Sequence, residues 1–273
     1  MPQSRNSSLR NMMKTQYAEQ QQHMGAAYGP YGQMTQAPQV AAMRIDDVIV
    51  RTLALIGVTF VAAMVTWTMV ANGIENGDAD AVGTAMALGG IGALVGLGVI
   101  LFSMFKPVMN PVMCFIYAIG QGLLLGGASA VFEQRIPGIV INALLATVLV
   151  FGGMLALYKF RVLKNSPMFT KVIVGAGFGI FALILVNFVG GLFGADFGLF
   201  AAPGESVSAL QWIVAIAITL WAAFSFILDF DMIEQSAAAG APKKYAWAGA
   251  FGLTAGLIFL YWSLLRLLSY FSE

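Results

Sequence analysis

The residues best able to do chemistry in this 273-residue chain stand together in Phe226-Ile-Leu-Asp229-Phe-Asp231-Met-Ile-Glu234-Gln235, where three carboxylates close an otherwise apolar run. Carboxylates at the edge of hydrocarbon exchange protons at a pKa raised by an apolar setting and lowered by a nearby lysine. On a helix, residues two apart point about 200° from one another, whereas those three apart share a face. Asp229 and Asp231 therefore cannot both look into a bundle, while Asp231 and Glu234 lie side by side. Asp229, deeper in the apolar run, is the better candidate for a buried role. If the helix ends here, the acids meet the negative end of its macrodipole, which calls for compensation. Lys106, Lys171, Lys243 and Lys244 are the cations able to supply it. The same acids also fit a plainer reading, in which they mark where lipid ends and water begins. The residues alone leave both open.

Other chemistries lack their residues. The one cysteine, Cys114, and the one histidine, His23, cannot build a zinc centre, a disulfide or a histidine-dependent triad. Cys114 reads as a small apolar core residue, and His23 falls in a polar leader. No enzyme activity and no cofactor are expected. A net charge of +1 is too small for a phosphate-binding surface, so nucleic acid is not an expected partner. A retinal protein would need a lysine in the last apolar stretch, and none lies between Lys244 and Arg266.

The elements that must position the acids follow from composition. Hydrophobic residues make up 59% of the chain and charged ones 10%, with mean hydropathy +0.81, whereas soluble domains carry roughly 25% charged residues. Charges bound seven neutral windows of 21 to 26 residues, starting after Arg51, Asp80, Lys106, Arg135, Lys171, Glu205 and Lys244. About 20 apolar helical residues cross the roughly 30 Å hydrocarbon core. Because backbone in lipid must bond to itself, each window is a helix, and the windows lack the alternation of a barrel strand. The fold class is an all-α polytopic membrane protein with spans at about 48–72, 82–105, 112–132, 137–158, 172–194, 208–229 and 245–268. Residues 1–44, rich in Gln, Met, Tyr, Gly and Pro, form a disordered polar tail ahead of this domain at 45–271.

Eleven of the fourteen Lys and Arg residues fall on one side: Arg5, Arg10, Lys14, Arg44, Lys106, Lys159, Arg161, Lys164, Lys171, Lys243 and Lys244. The positive-inside rule then puts the N-terminus in the cytoplasm and the C-terminus outside, in the cell membrane. Small-xxx-small pairs at Gly92/Gly96, Gly122/Gly126 and Gly252/Gly256 allow close helix approach and read as plain packing. Gln121, Asn142 and Asn187 read as interhelical hydrogen-bonding amides, and Arg266 as a snorkelling anchor.

Three segments, in their order along the chain, carry a resemblance. Leu-Asp229-Phe-Asp231-Met-Ile-Glu looks like the Asp-Thr-Gln-x-Ile signature that ends the sixth helix of the Bax inhibitor-1 (transmembrane Bax-inhibitor-motif, YccA-like) family. Gln121-Gly-Leu-Leu-Leu-Gly126-Gly-Ala-Ser129 and Ser263-Leu-Leu-Arg266-Leu-Leu268 are similar to its third and last helices. The likeness covers about residues 45–271 and resembles the bacterial branch with a long polar leader.

The resemblance implies six helices around a central one, and a pH-sensitive calcium leak governed by two aspartates, one late in helix six and one in the last helix. Aligned on Asp-x-x-x-Ile, the first falls on Asp229, with Ile233 as the isoleucine. Aligned on Leu-Leu-Arg266, the second falls near Gly256, and the last span contains no carboxylate. Two facing carboxylates cannot both ionise, so one retains its proton to near neutrality; here that latch lacks a partner. Asp231 or Glu234 is one substitute, and a pair between Asp229 and Lys106 is another. Tight calcium binding takes six to eight oxygens, so coordination by Asp229 is weak and transient, suited to permeation. The expectation is a pH-sensitive cation leak or regulator of ion homeostasis, with Asp229, Asp231, Glu234 and Lys106 along the pathway. The rival is a non-conducting regulator of stress response or membrane-protease control, whose tail captures a membrane-protein partner by folding on contact.

Overall fold

The computed structural model describes residues 42–105, 110–194 and 207–271, apart from the side chains of Met104, Phe188 and Leu192. Among them are seven helices long and apolar enough to cross a membrane. They are α1 (Ile45–Asn76), α2 (Ala79–Met104), α3 (Pro111–Arg135), α4 (Ile139–Lys159), α5 (Pro167–Leu192), α6 (Ala209–Ala238) and α7 (Ala246–Phe271), with a 3-10 turn, Lys243–Tyr245, leading into α7. Each of the seven neutral windows holds one of these helices.

Local chemistry sets the boundaries. Helices begin where a side-chain oxygen meets the unpaired amides of the first turn: Asp78 before α2, Asn110 before α3, Ser166 before α5, and Ser208 with Gln211 in a capping box before α6. Proline occupies the first turn of α3 and α5, where its missing N–H costs nothing. At α4 the cap comes from the preceding helix: the Glu133 carboxylate accepts from the Gly138 and Val140 amides at 2.6 and 3.1 Å. The turn there needs Gly138 at φ 85°, a left-handed conformation that glycine adopts without a Cβ penalty.

α7 is the central element. Of its most apolar window 61% is buried, against 6% for α5, and it packs on α6, α1, α4 and α3. α3 is clasped by α1 and α2, and glycines make that clasp possible. A Cβ on Gly122 would stand 2.7 Å from the Ala62 methyl, and one on Gly126 would run into the Ala63 carbonyl. On the other side Gly92 lies against the backbone of Gly120, and Gly96 against the Gln121 amide. Lipid gives no hydrophobic drive for helix association, so such backbone proximity supplies the attraction. Thr66 adds a hydrogen bond across the interface, donating to the Leu123 carbonyl at 2.9 Å. α5 lies at the periphery against α6, where the Trp221 indole donates to the Ile173 carbonyl at 2.8 Å and lies over Gly177.

Two expectations need correction. α6 does not end with the acids: it continues to Ala238, so Asp229 lies more than two turns before its last residue. The dipole effect fades within the last turn, and Asp229 therefore escapes it. Asn142 is exposed on α4 rather than turned to a neighbouring helix; a short amide there projects outward beside Ile141, itself 63% exposed.

Gly126→Leu is expected to destabilise the detergent-solubilised protein by about 1–3 kcal/mol or to abolish its folding, the range for overpacking a tight contact. Gly57→Leu, at an exposed position where a Cβ meets nothing within 4 Å, is expected to leave the melting temperature unchanged or slightly raised. Thermal melts of the two variants decide between close glycine packing and a generic effect of adding bulk.

Candidate functional site

The end of the bundle that carries the start of α1, the end of α4, the end of α6 and the start of α7 is tied by long-range polar contacts. The Met43 amide donates to the Ala241 carbonyl at 2.7 Å. The Asp47 carboxylate pairs with Lys243 at 2.7 Å and accepts from the Arg44 amide at 3.1 Å. Arg51 donates to the Lys243 carbonyl at 2.8 Å while its guanidinium lies 4.9 Å from the centre of the Trp247 ring, a cation–π arrangement.

Within this end the three acids of α6 part company, as 100° per residue requires. Asp229 turns toward α7. A Cβ on Gly252 would lie 3.2 Å from its Oδ1, so the carboxylate occupies the notch left by a missing side chain. Asp229 is half-buried, and among the described residues it accepts no hydrogen bond and forms no ion pair. The Phe226 ring, one turn earlier on the same face, fills the second notch, 2.8 Å from an ideal Cβ on Gly256. This corrects the alignment: the position facing Asp229 is Gly252, one turn before Gly256. The Gly252/Gly256 pair is thus more than plain packing, since one of its notches receives a carboxylate.

Asp231 and Glu234 turn toward α4, sharing a face as their spacing requires. The Tyr158 hydroxyl donates to Glu234 and reaches Asp231 at 3.5 Å. Asp231 also accepts from Asn165 and Gln235, each at 2.7 Å, and Thr170 holds the Asn165 amide by donating to its Oδ1 at 2.7 Å. Compensation for these acids therefore comes from neutral donors. The expected lysines are placed otherwise: Lys243 is taken by Asp47, Lys171 is exposed, and Lys244 lies 5.7 Å from the centre of the Tyr245 ring. Lys106 lies outside the described residues. Asp231 and Glu234 are consequently directed away from Asp229, which weakens both as substitutes for its missing partner.

A cavity of about 850 Å³ opens beside this network, bounded by α1, α4, the turn after α4, α6 and α7. Its lining is largely apolar, with Ile49, Leu53 and Leu155 in it, and also includes Asp231 and Glu234 together with Lys159, Arg161 and Lys164. Asp229 does not line it. Among the described residues no group of three or more His, Cys, Asp or Glu side chains is placed to hold a metal ion.

Residue typing read Gly252 as plain packing and passed over Tyr158 and Asn165. Their separation in the chain from Asp231 gives no local signal that they meet it.

Replacing Tyr158 by Phe removes one donor from a half-exposed network and is expected to cost about 1 kcal/mol. Asn165→Ala should cost about 1–3 kcal/mol, since it leaves both Asp231 and Thr170 short of a partner. Chemical denaturation of each variant, and of each combined with Asp231→Asn, measures the coupling. Strict additivity would deny the network.

Comparison with known proteins agrees with the geometry. No curated protein matches the chain. The pattern of the family described as Bax inhibitor 1 like matches residues 4–273, nearly the entire length. With seven apolar helices, a central last helix and a carboxylate-bearing sixth helix, the chain belongs to the Bax inhibitor 1-like family of multi-pass membrane proteins.

Proposed function

We propose that this protein permits or regulates a slow, pH-sensitive cation flux across the cell membrane, that calcium is the cation it suits, and that Asp229 is the gate. The observation that carries the proposal is the placement of Asp229. Ionisable groups inside membrane helices are costly and are retained where they serve a pathway or a relay. Asp229 sits within α6, against a notch in the central helix, with no donor among the described residues to neutralise it. A lone carboxylate can stay neutral by keeping its proton or attract a cation by losing it, and the two forms favour different α6–α7 contacts. Weak coordination by one carboxylate lets a cation leave as readily as it arrives. In this reading the lysine-rich end faces the cytoplasm and the C-terminus lies outside.

One observation favours a second reading, a non-conducting regulator: α7 carries no acidic residue between Ala246 and Phe271, so the two-carboxylate latch is incomplete. The polar leader would then be the partner-binding element. The proposed protein has no enzyme activity and needs no cofactor in either reading.

Purified protein in calcium-loaded liposomes tests the gate. Wild-type flux is expected to vary with pH, and Asp229→Asn to lower it and flatten the profile. A pH-flat flux unchanged by the substitution overturns the assignment. Gly252→Asp is expected to move the pH midpoint toward neutrality by installing a facing carboxylate, whereas Gly252→Ala reports the steric effect alone.

Deletion of residues 1–43 separates the two readings. Flux should survive deletion if the bundle conducts. Loss of capture of a membrane-protein partner, in a protein that never conducted, supports the regulator.

A further inference from the structure

The cavity at the lysine-rich end does not suit the cation pathway: three positive side chains, Lys159, Arg161 and Lys164, stand on its rim. We propose that it is a binding site for an anionic membrane phospholipid, with an acyl chain along the apolar wall and the phosphate at these three residues.

The wall comes first. α1 and α4 stand apart rather than packing on one another. The gap between them is faced with Ile45, Ile49, Leu53 and Ile56 from α1 and Leu155 from α4, and floored by Leu253 and Leu257 of the central helix. Leu53 is 63% and Leu155 43% exposed. An apolar groove in a membrane-spanning bundle, open between two helices, is dry and is filled by hydrocarbon. At about 850 Å³ it falls within the roughly 300–1,000 Å³ common for ligand sites.

The rim supplies the charge. Lys159 ends α4, and Arg161 and Lys164 follow in the turn to α5, just past the apolar run of α4. All three are exposed, and among the described residues none closes an ion pair. Basic pockets between helices at this level select anionic headgroups. The two acids in the same lining, Asp231 and Glu234, are held by Tyr158, Asn165 and Gln235, and three cations against two carboxylates leave the charged lining net positive.

Arg161 carries an independent mark. The Val162 amide donates to the Leu157 carbonyl at 3.0 Å and the Arg161 amide to the Tyr158 carbonyl at 2.9 Å, the bond pattern of a glycine-type helix cap. Arg161 holds the left-handed position at φ 57°, the one non-glycine residue with positive φ among the described residues. Glycine would sit there without strain. The chain instead places a guanidinium, which can bind a phosphate through two parallel hydrogen bonds, at that point of the rim.

The test uses the full chain in detergent, with phosphatidylglycerol, phosphatidylcholine or inorganic phosphate added and both thermal shift and native mass spectrometry as readouts. Phosphatidylglycerol is expected to raise the melting temperature and remain bound. Phosphatidylcholine and inorganic phosphate should do neither. The combined variant Lys159→Gln/Arg161→Gln/Lys164→Gln should weaken phosphatidylglycerol binding about 100-fold, the effect of losing three cations near a lipid surface, while Lys244→Gln, outside the cavity, leaves it unchanged. Arg161→Gly separates binding from folding: it should raise the lipid-free melting temperature and reduce the phosphatidylglycerol shift. Equal binding of both lipids, a full shift from inorganic phosphate alone, or undiminished binding in the triple variant would overturn the proposal. None of these readouts involves ion flux, so their failure leaves the assignment of Asp229 standing.

Discussion

Within hydrocarbon no water is available to bond a peptide group, so each segment that crosses must satisfy its own backbone. That constraint produces seven long helices here, and it also removes the force that assembles helices in water, because lipid tails are as apolar as leucine. What remains is contact at short range. The chain meets this need with glycine at several helix crossings: Gly122 and Gly126 admit α1 to α3, Gly92 and Gly120 bring α2 and α3 backbone to backbone, and Gly252 and Gly256 open the central helix to α6.

The last of these contacts connects packing to chemistry. Asp229 and Phe226 stand one turn apart on α6 and enter neighbouring notches of α7. One notch receives an aromatic ring, the other a carboxylate, so movement that reseats Phe226 also changes the surroundings of Asp229. Two residues further along α6 the helical twist has turned the chain to its other side, where Asp231 and Glu234 meet Tyr158 and Asn165. The acids thus divide into one that lacks a donor among the described residues and two that are bonded, on opposite faces of one helix.

The cations divide similarly. Lys243 and Arg51 hold the start of α7 to α1, through Asp47 and the Lys243 carbonyl. Lys159, Arg161 and Lys164 close no ion pair among the described residues and border the apolar cavity. A bundle end with structural charges paired and another group of cations beside a groove is suited to contact with its lipid surroundings, in a cavity that Asp229 does not line.

The neutral windows and their lengths were enough to determine seven helices, and period alone was enough to part Asp229 from Asp231 and to join Asp231 to Glu234, because span length and helical twist are local properties. The glycine pairs were legible as close contacts for the same reason. The end of α6 was not, since the acids suggested a terminus while the helix runs on to Ala238. Nor was the residue opposite Asp229, which depends on how two helices are set along one another and moves from Gly256 to Gly252 with a slide of one turn. Only the folded bundle decided that Tyr158 and Asn165, rather than a lysine, would meet the α6 acids, and that three cations after α4 would border a groove. These are contacts between residues far apart in the chain, fixed by packing that no local pattern encodes.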